Sequence, residues 1–515
     1  MSSEAERNRL LRRVDWRFLA GRPRARRALC WAGGALAQGV SSIADEVVER
    51  SGPGECDLAV LRDPGPAALR RAREALEPGG SCYVEWWRPV PGGARRRLEA
   101  AGFHEVACHW PWPPPGRRTP LFWVPIDEPA AVGWFLASRP VPRRAVARAT
   151  AAGLRRAWRL LWRLQLLVPV CAIARKPGGA NGEARSLPAE LTAKREAWGL
   201  GADAGSVSCL LLTGGRRAIN KVVALVFIPP SSEPQIVLKL PRVPEAEAPL
   251  RREASALAAV RARGAPPGVP RLLRRGLLAA SPVVAETVVD GRPLLEVLRG
   301  DTHRALALQV TDFLTALAVP APPSPSAAWQ DRLVEPALNA LEGELEPSQA
   351  QRVRAILRDL GSLPSACEQR DCSPWNVLVR PGGSLAMLDW ESAEPDGVPV
   401  LDLVYYLSYA SFFVDGTMDS GREAESYAAM LDPRSFTGRV YAECVSRYTE
   451  RVGLPPTSVA PLRLLCWLVH AGAAARRAEA ARSTARRPPE RDRLLLALAC
   501  AELANHGPVV VSFQG

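Results

Sequence analysis

Gln369-Arg370-Asp371-Cys372-Ser373-Pro374-Trp375-Asn376 and, beyond an apolar run, Asp389-Trp390-Glu391 decide how the C-terminal part of this chain folds. The pattern is D-x-x-x-x-N followed by a second Asp. Phosphoryl transfer from a nucleotide needs such groups in this order. One carboxylate accepts or orients the proton of the attacking hydroxyl. An amide oxygen and a second carboxylate hold the magnesium that bridges the phosphates. Between them, Val377-Leu378-Val379 and Leu385-Ala386-Met387-Leu388 flank Pro381-Gly382-Gly383, which reads as two short strands around a turn. Such a hairpin carries Asn376 at its entry and Asp389 at its exit, so both oxygens serve one metal ion.

The segments upstream fit the same chemistry. Thr213-Gly214-Gly215 lies between apolar runs, Leu211-Leu212 and Val222 to Ile228. Gly214 and Gly215 would let backbone N–H groups approach phosphates, although adjacent glycines alone also suit a plain hairpin turn. Ile236-Val237-Leu238-Lys239-Leu240 is a strand with one lysine. Only four of the 67 basic residues are lysines (176, 194, 221 and 239), so a lysine inside an apolar strand is not compositional noise. Glu253 follows in a helical pattern, Leu250 to Val260. A strand lysine paired with a helix glutamate holds the α- and β-phosphates in kinases. Val283-Val284-Ala285-Glu286-Thr287 is a further strand, ending near a hinge whose backbone would meet the adenine.

From about residue 189 to 515 the chain resembles the aminoglycoside phosphotransferase and choline kinase group, which has a protein-kinase-like fold. The resemblance rests on Lys239, Glu253, the segment Gln369 to Asn376, Asp389-Trp390-Glu391 and Asp402-Leu403. It implies that Asp371 is the catalytic base and that Asn376 and Asp389 are magnesium ligands. Lys239 would contact the phosphates of ATP or GTP, and Asp402 would support the catalytic loop. One position departs from the family: Gln369 stands where a histidine is usual. Glutamine offers both a donor and an acceptor, so the change is compatible with an active loop. A nucleotide-binding pseudokinase with a regulatory or scaffold role is the alternative.

Composition adds bounds. A chain of 515 residues with 47% hydrophobic side chains accommodates two or more cores. The net charge of +14 invites a nucleic-acid or membrane partner. The basic residues are spread along the chain, no nucleic-acid motif is present, and no nucleic acid is expected. Eleven scattered cysteines show no C-x-x-C or Cys/His metal spacing, which suggests reduced, mostly buried thiols in a cytoplasmic protein. The five histidines form no ligand pattern, and His104 and His109 read as structural. The N-terminus has no signal-type apolar core, and no run of eighteen uncharged apolar residues is present. Ala157 to Ala174 comes nearest. Its first half suits a basic amphipathic helix, which leaves peripheral membrane contact open but more often packs on a sheet.

The first 176 residues alternate strand and helix: Arg27 to Trp31, Cys56 to Leu61, the helix Ala67 to Leu76, Ser81 to Trp86, and a helix ending at Phe103. This predicts an open α/β sheet. Cys56-Asp57-Leu58-Ala59-Val60, Leu76-Glu77-Pro78-Gly79-Gly80 and Ala101-Gly102-Phe103 resemble the later half of a class I S-adenosylmethionine-dependent methyltransferase. Residues 121–126 and 168–175 would be its closing antiparallel strands. The glycine turn Trp31-Ala32-Gly33-Gly34-Ala35 departs from the G-x-G-x-G of that family, and too little chain separates it from Asp57 for two further βα units. The expectation is a shortened, Rossmann-like and non-catalytic domain that does not bind S-adenosylmethionine; methyltransferase activity is the second alternative. Trp110-Pro111-Trp112-Pro113-Pro114-Pro115 reads as an ordered loop.

The expected organisation is a methyltransferase-like α/β domain (1–176), a linker (177–188) and an α+β kinase-like domain (189–515), with lobes of about 189–290 and 291–515. Val319 to Ala328 reads as a surface insertion. Helical patterns beyond Asp402 would form the acceptor pocket, with Tyr405, Tyr406, Tyr409, Trp467 and His470 as candidates for its lining. The acceptor class is a small molecule, sugar or glycan.

Overall fold

A computed structural model describes residues 4–88, 93–116, 118–139, 169–178, 185–200, 205–215, 217–318, 323–324, 326–481 and 490–506, with isolated positions between 152 and 160. The chain divides into two compact units. One is Met1–Leu250 with Leu272–Val288, and the other is Arg251–Arg271 with Val289–Gly515. Most of the amphipathic segment 157–168, the core of the linker and half of 319–328 lie outside the described residues.

The first unit is built on one twelve-stranded sheet. Its strands are β1 (Ala25–Trp31), β2 (Ala44–Val48), β3 (Cys56–Arg62), β4 (Leu76–Trp86), β5 (His104–Trp112), β6 (Phe122–Pro125), β7 (Val170–Arg175), β8 (Ser208–Leu212), β9 (Val222–Phe227), β10 (Ile236–Leu240), β11 (Leu272–Leu278) and β12 (Ser281–Thr287). The order is β11-β12-β10-β9-β8-β6-β5-β7-β4-β3-β1-β2. Strands β2, β1, β3 and β4 run parallel, and β7 inserts antiparallel between β4 and β5. The open α/β sheet expected of the first 176 residues is therefore present. One helix and one strand, Ala35–Ser41 and β2, fill the short stretch between β1 and β3. Antiparallel pairing of β6 with β8, Phe122 opposite Leu212 and Trp123 opposite Leu211, continues the sheet through β8 and β9 to β10, which carries Lys239.

Alternation along the strands builds two cores, because successive strand residues point to opposite faces. Ala28 and Cys30, Leu58 and Val60, Cys171 and Ile173, Cys209 and Leu211 share one face with Leu36 and Val40 of the helix Ala35–Ser41. Leu29, Ala59 and Leu61, Ala172 and Ala174, and Leu210 share the other with Leu69, Leu98 and Phe135 from the helices Pro66–Ala75, Ala94–Ala100 and Pro129–Ser138. Burial on both faces explains why these strands read as continuous apolar runs.

The segment Trp110-Pro111-Trp112 corrects the loop expectation, since it ends β5. Pro111 lies opposite Trp123 of β6, whereas the pairing of β5 with β7 stops at His109. The missing proline N–H thus falls where β5 has only one partner, the position a strand tolerates. His109 is buried, and desolvation pushes its imidazole down to about 4, which fits a structural neutral ring.

The second unit is mainly helical. The helix Gly300–Ala318 packs on Phe436–Val452, and Leu401–Val414 packs on Val459–Ala481, which also meets Glu490–Asn505. Val459–Ala481 overlaps the one described helical stretch, Pro456–Glu479, long and apolar enough to cross a bilayer. That stretch is 67% buried inside the structure, with Leu464, Leu465, Cys466 and Trp467 fully enclosed, so it is a core helix. Val377–Val379 and Leu385–Met387 pair antiparallel with Arg292–Pro293 alongside, which gives the hairpin expected between Asn376 and Asp389. All eleven cysteines are free and ten are buried.

Candidate functional site

The segment Asp371 to Asn376 closes on itself. Asn376 Nδ2 donates to the Asp371 carbonyl at 2.9 Å and to Asp371 Oδ2 at 2.8 Å. The Ser373 N–H donates to the same carbonyl at 2.7 Å. The loop thereby fixes the Asp371 carboxylate and turns Asn376 so that its amide nitrogen is engaged and Oδ1 is left as the acceptor. An amide oxygen is a donor that a hard cation accepts. The Leu388 N–H donates to the Asn376 carbonyl at 2.8 Å, which sets the start of Asp389 beside Asn376. Among the described residues no three His, Cys, Asp or Glu side chains group as a metal site. Magnesium commonly takes one or two protein oxygens and completes its shell with phosphates and water, so the Asn376 and Asp389 pair fits that ion.

Gln369 ties the two halves of this site together. Its Nε2 donates to the carbonyls of Leu388 at 2.8 Å and Asp389 at 2.6 Å, and its Oε1 accepts the Asp371 N–H at 2.7 Å. The residue is fully buried. A single side chain thus uses both its donor and its acceptor to fix Asp371 against the hairpin exit. Gln369→Leu keeps the bulk but leaves one N–H and two carbonyls without this partner. Each such loss costs about 1 kcal/mol or more. The expected result is a stability loss of about 3 kcal/mol in denaturant unfolding, with turnover reduced. Gln369→His, which can both donate and accept, should recover most of the turnover. Equal turnover in Gln369→Leu and the wild type would refute the orienting role.

Asp402 supports the loop from below, as expected. Its carboxylate accepts the N–H groups of Gln369 at 2.5 Å and Arg370 at 2.8 Å. Burial, with Glu368 nearby, pushes this carboxyl up to about 7, while the two N–H groups and Arg370 oppose the shift. Arg370 and Asp389 adopt positive φ, +62° and +60°, and Val400 adopts +80°. A β-branched residue at such φ is strained. These three positions bracket the loop, the exit of the hairpin and the start of the helix bearing Asp402. Cys372 is fully buried and its thiol is pushed well above its ordinary value by desolvation, which makes it inert despite its place beside Asp371.

In the first unit, Lys239 lies on β10 with its Nζ 2.6 Å from Glu286 Oε1 on β12, and both side chains are buried. The pairing is diagonal across the ladder, since Val237 stands opposite Glu286. Glu286, expected through its backbone at an adenine, thus brings its carboxylate to the lysine. Glu253, in the helix Glu247–Ala262, accepts the Trp390 N–H at 3.2 Å, which ties that helix to the residue after Asp389. The turn Gly214-Gly215 joins β8 to the segment before β9. Gly215 has φ +93°, and a Cβ there would meet Asn220 at 2.5 Å. A side chain is excluded twice over at this position, so the second glycine is required by local geometry.

Of the expected acceptor-lining residues, Tyr406, Tyr409 and Trp467 are fully buried core. Tyr405 stacks on His470 with centroids 4.1 Å apart, and Trp375 of the Asp371–Asn376 loop meets Tyr409 edge-on at 5.4 Å. Only Trp375 and His470 of this aromatic run keep partial exposure. Sequence reading missed Asn8, Asp15, Arg17 and Arg242, a buried polar group around the glycine turn. No motif marks it, and a balanced charge pair distant in sequence leaves no periodic signal.

Residues 226–436 match the model of the phosphotransferase enzyme family. This span runs from β9 through Lys239, Asp371, Asn376 and Asp389 to the start of the helix Phe436–Val452. A search of curated proteins found no match. Among solved structures, the GDP and kanamycin complex of APH(2")-IIIa is similar at 14% identity over 62% of this chain and 98% of that one, with a TM-score of 0.36. The aminoglycoside phosphotransferase APH(3'')-Id from Streptomyces rimosus, in complex with ADP and streptomycin, is similar at 16% identity over 45% of this chain and 86% of that one, with a TM-score of 0.31.

Proposed function

We propose that this chain is a phosphotransferase that moves the γ-phosphoryl group of ATP or GTP to a hydroxyl of a small molecule, sugar or glycan. The observation that carries the reading is the closed loop from Asp371 to Asn376, locked by Gln369 to the backbone of Asp389, within a segment that matches a phosphotransferase family. Asp371 orients the acceptor hydroxyl and takes its proton. Asn376 and Asp389 would hold magnesium, which when bound neutralises charge on the phosphates. Lys239 offers a second positive charge to the α- and β-phosphates, held in place by Glu286. The N–H groups of Gly214 and Gly215 would cover the phosphates. Most of the rate gain then comes from alignment and preorganised charge. The strands of the first 176 residues act as a scaffold that extends the sheet bearing Lys239.

The test is a titration of the purified chain with ATP and with GTP, with and without magnesium, and with Lys239→Ala as control. Magnesium-dependent binding of either nucleotide, weakened in the variant, supports the reading. Failure to bind both nucleotides sinks it.

A further inference from the structure

We propose that the N-terminal helix and the turn after it are a positioning element for the glycine turn, acting through Asn8, Asp15 and Arg242. The inference rests on the reading of Gly214-Gly215 as the cover for nucleotide phosphates. The helix, Glu4–Arg13, and the short 3-10 turn Asp15–Phe18 precede β1 by sequence; Arg13 pairs with Glu85 of β4, while Glu4, Asn8, Asp15 and Arg17 reach the residues around the glycine turn. Arg242 follows β10 by two residues and is the hub. Its Nε donates to Asp15 Oδ2 at 2.9 Å, its Nη2 donates to the carbonyls of Thr213 at 3.1 Å and Gly214 at 3.2 Å, and its Nη1 donates to the Arg217 carbonyl at 3.4 Å. Asn8 Nδ2 donates to the Gly215 carbonyl at 3.2 Å, and its Oδ1 accepts from Arg242 Nη1 at 3.4 Å. Glu4 Oε1 accepts the Ala218 N–H at 2.7 Å, and Arg17 Nη2 donates to the Arg242 carbonyl at 2.7 Å. Asn8, Asp15, Arg17 and Arg242 are each at most 5% exposed, so these bonds are shielded from water.

The consequence follows from the peptide unit. In a trans peptide the N–H after a carbonyl points the opposite way. The Thr213 and Gly214 carbonyls point at Arg242, so the N–H groups of Gly214 and Gly215 point away from the N-terminal segment. Those are the groups that a phosphate would use. An arginine suits the task because its planar fork reaches several acceptors at fixed angles, which an ammonium cannot do. Asp15 sits between two buried guanidiniums, accepting from Arg242 Nε on Oδ2 and from Arg17 Nη1 on Oδ1 at 3.1 Å, and so sets the orientation of Arg242.

The experiment compares binding of ATP with magnesium and binding of adenosine, in the full chain, for the wild type, Asn8→Ala and Arg242→Met. Circular dichroism reports whether each variant is folded. A loosened turn costs phosphate contacts alone, so ATP affinity should fall by about fivefold or more while adenosine affinity stays within about twofold. Arg242→Met leaves Asp15 buried with Arg17 as its remaining partner, 3.1 Å away, and risks unfolding, in which case Asn8→Ala decides. Unchanged ATP affinity in a folded variant overturns the proposal, as does an equal loss for ATP and adenosine, which marks general damage. A wild-type chain that binds no ATP removes the phosphate reading of the turn and the proposal with it.

Discussion

Asp371→Asn should leave a folded protein that binds nucleotide and turns it over about a thousandfold more slowly. The substitution is nearly isosteric, and the arrangement of the loop predicts which bonds survive. The Asp371 carbonyl continues to accept from Asn376 Nδ2 and from the Ser373 N–H, and its own N–H continues to donate to Gln369 Oε1. The amide oxygen of the new side chain can still accept from Asn376 Nδ2, which now bonds the Asp371 carboxylate. The variant loses the negative charge and the ability to take a proton. General-base catalysis by a positioned side chain contributes about 10²–10⁴ in rate, and the loss falls on turnover rather than on binding. Nucleotide hydrolysis with water as acceptor gives a readout before the true acceptor is known, and a binding titration supplies the control. Turnover within about threefold of the wild type would remove Asp371 from the role of base. A collapse of nucleotide binding would show instead that the carboxylate holds the loop together.

The parts of this site that were legible in the sequence are those whose chemistry constrains local spacing. D-x-x-x-x-N is one closed loop, and Asn376 reaches back to Asp371 because five residues span that turn. The hairpin that follows was legible because its strands are short, apolar and divided by Pro381-Gly382-Gly383. The lysine strand stood out because lysine is nearly absent elsewhere. What was not legible depends on pairings between distant residues. Glu286 has the composition of any strand-end acid, and only the antiparallel register of β10 and β12 brings it to Lys239. Asp15 and Arg242 are separated by most of the first unit, and each alone looks like a surface residue until the fold buries both. Trp110-Pro111-Trp112 misled for a related reason. Its prolines argue for a loop, and only the early end of the β7 pairing makes room for Pro111 in a strand. Continuity of the sheet through β6 and β8 has no sequence signature either, because strand pairing is set by shape and burial rather than by residue type.

Asp389→Asn should abolish the magnesium dependence of nucleotide binding while leaving the hairpin intact. Asparagine is the informative choice because Asp389 has φ +60°, and Asn tolerates this left-handed region where most side chains do not. Asp389→Ala would add backbone strain to the loss of the ligand and confuse the two. The Asp389 carbonyl stays bound to Gln369 Nε2, and Glu253 stays bound to the neighbouring Trp390 N–H, so the exit of the hairpin keeps its geometry. With the carboxylate gone, Asn376 would be left as the one protein oxygen of the pair, and neutral amide oxygens are poor at drawing magnesium from water. Loss of groups that merely orient a ligand costs about 10–100-fold in metal affinity, so removal of a direct ligand should cost about a hundredfold or more. The measurement is nucleotide affinity across a magnesium series and in chelator. In the wild type the curve should rise with magnesium. In the variant it should be flat, at the level the wild type shows in chelator. A variant that keeps the wild-type magnesium dependence would place the metal elsewhere and leave Asp389 as a structural residue of the hairpin.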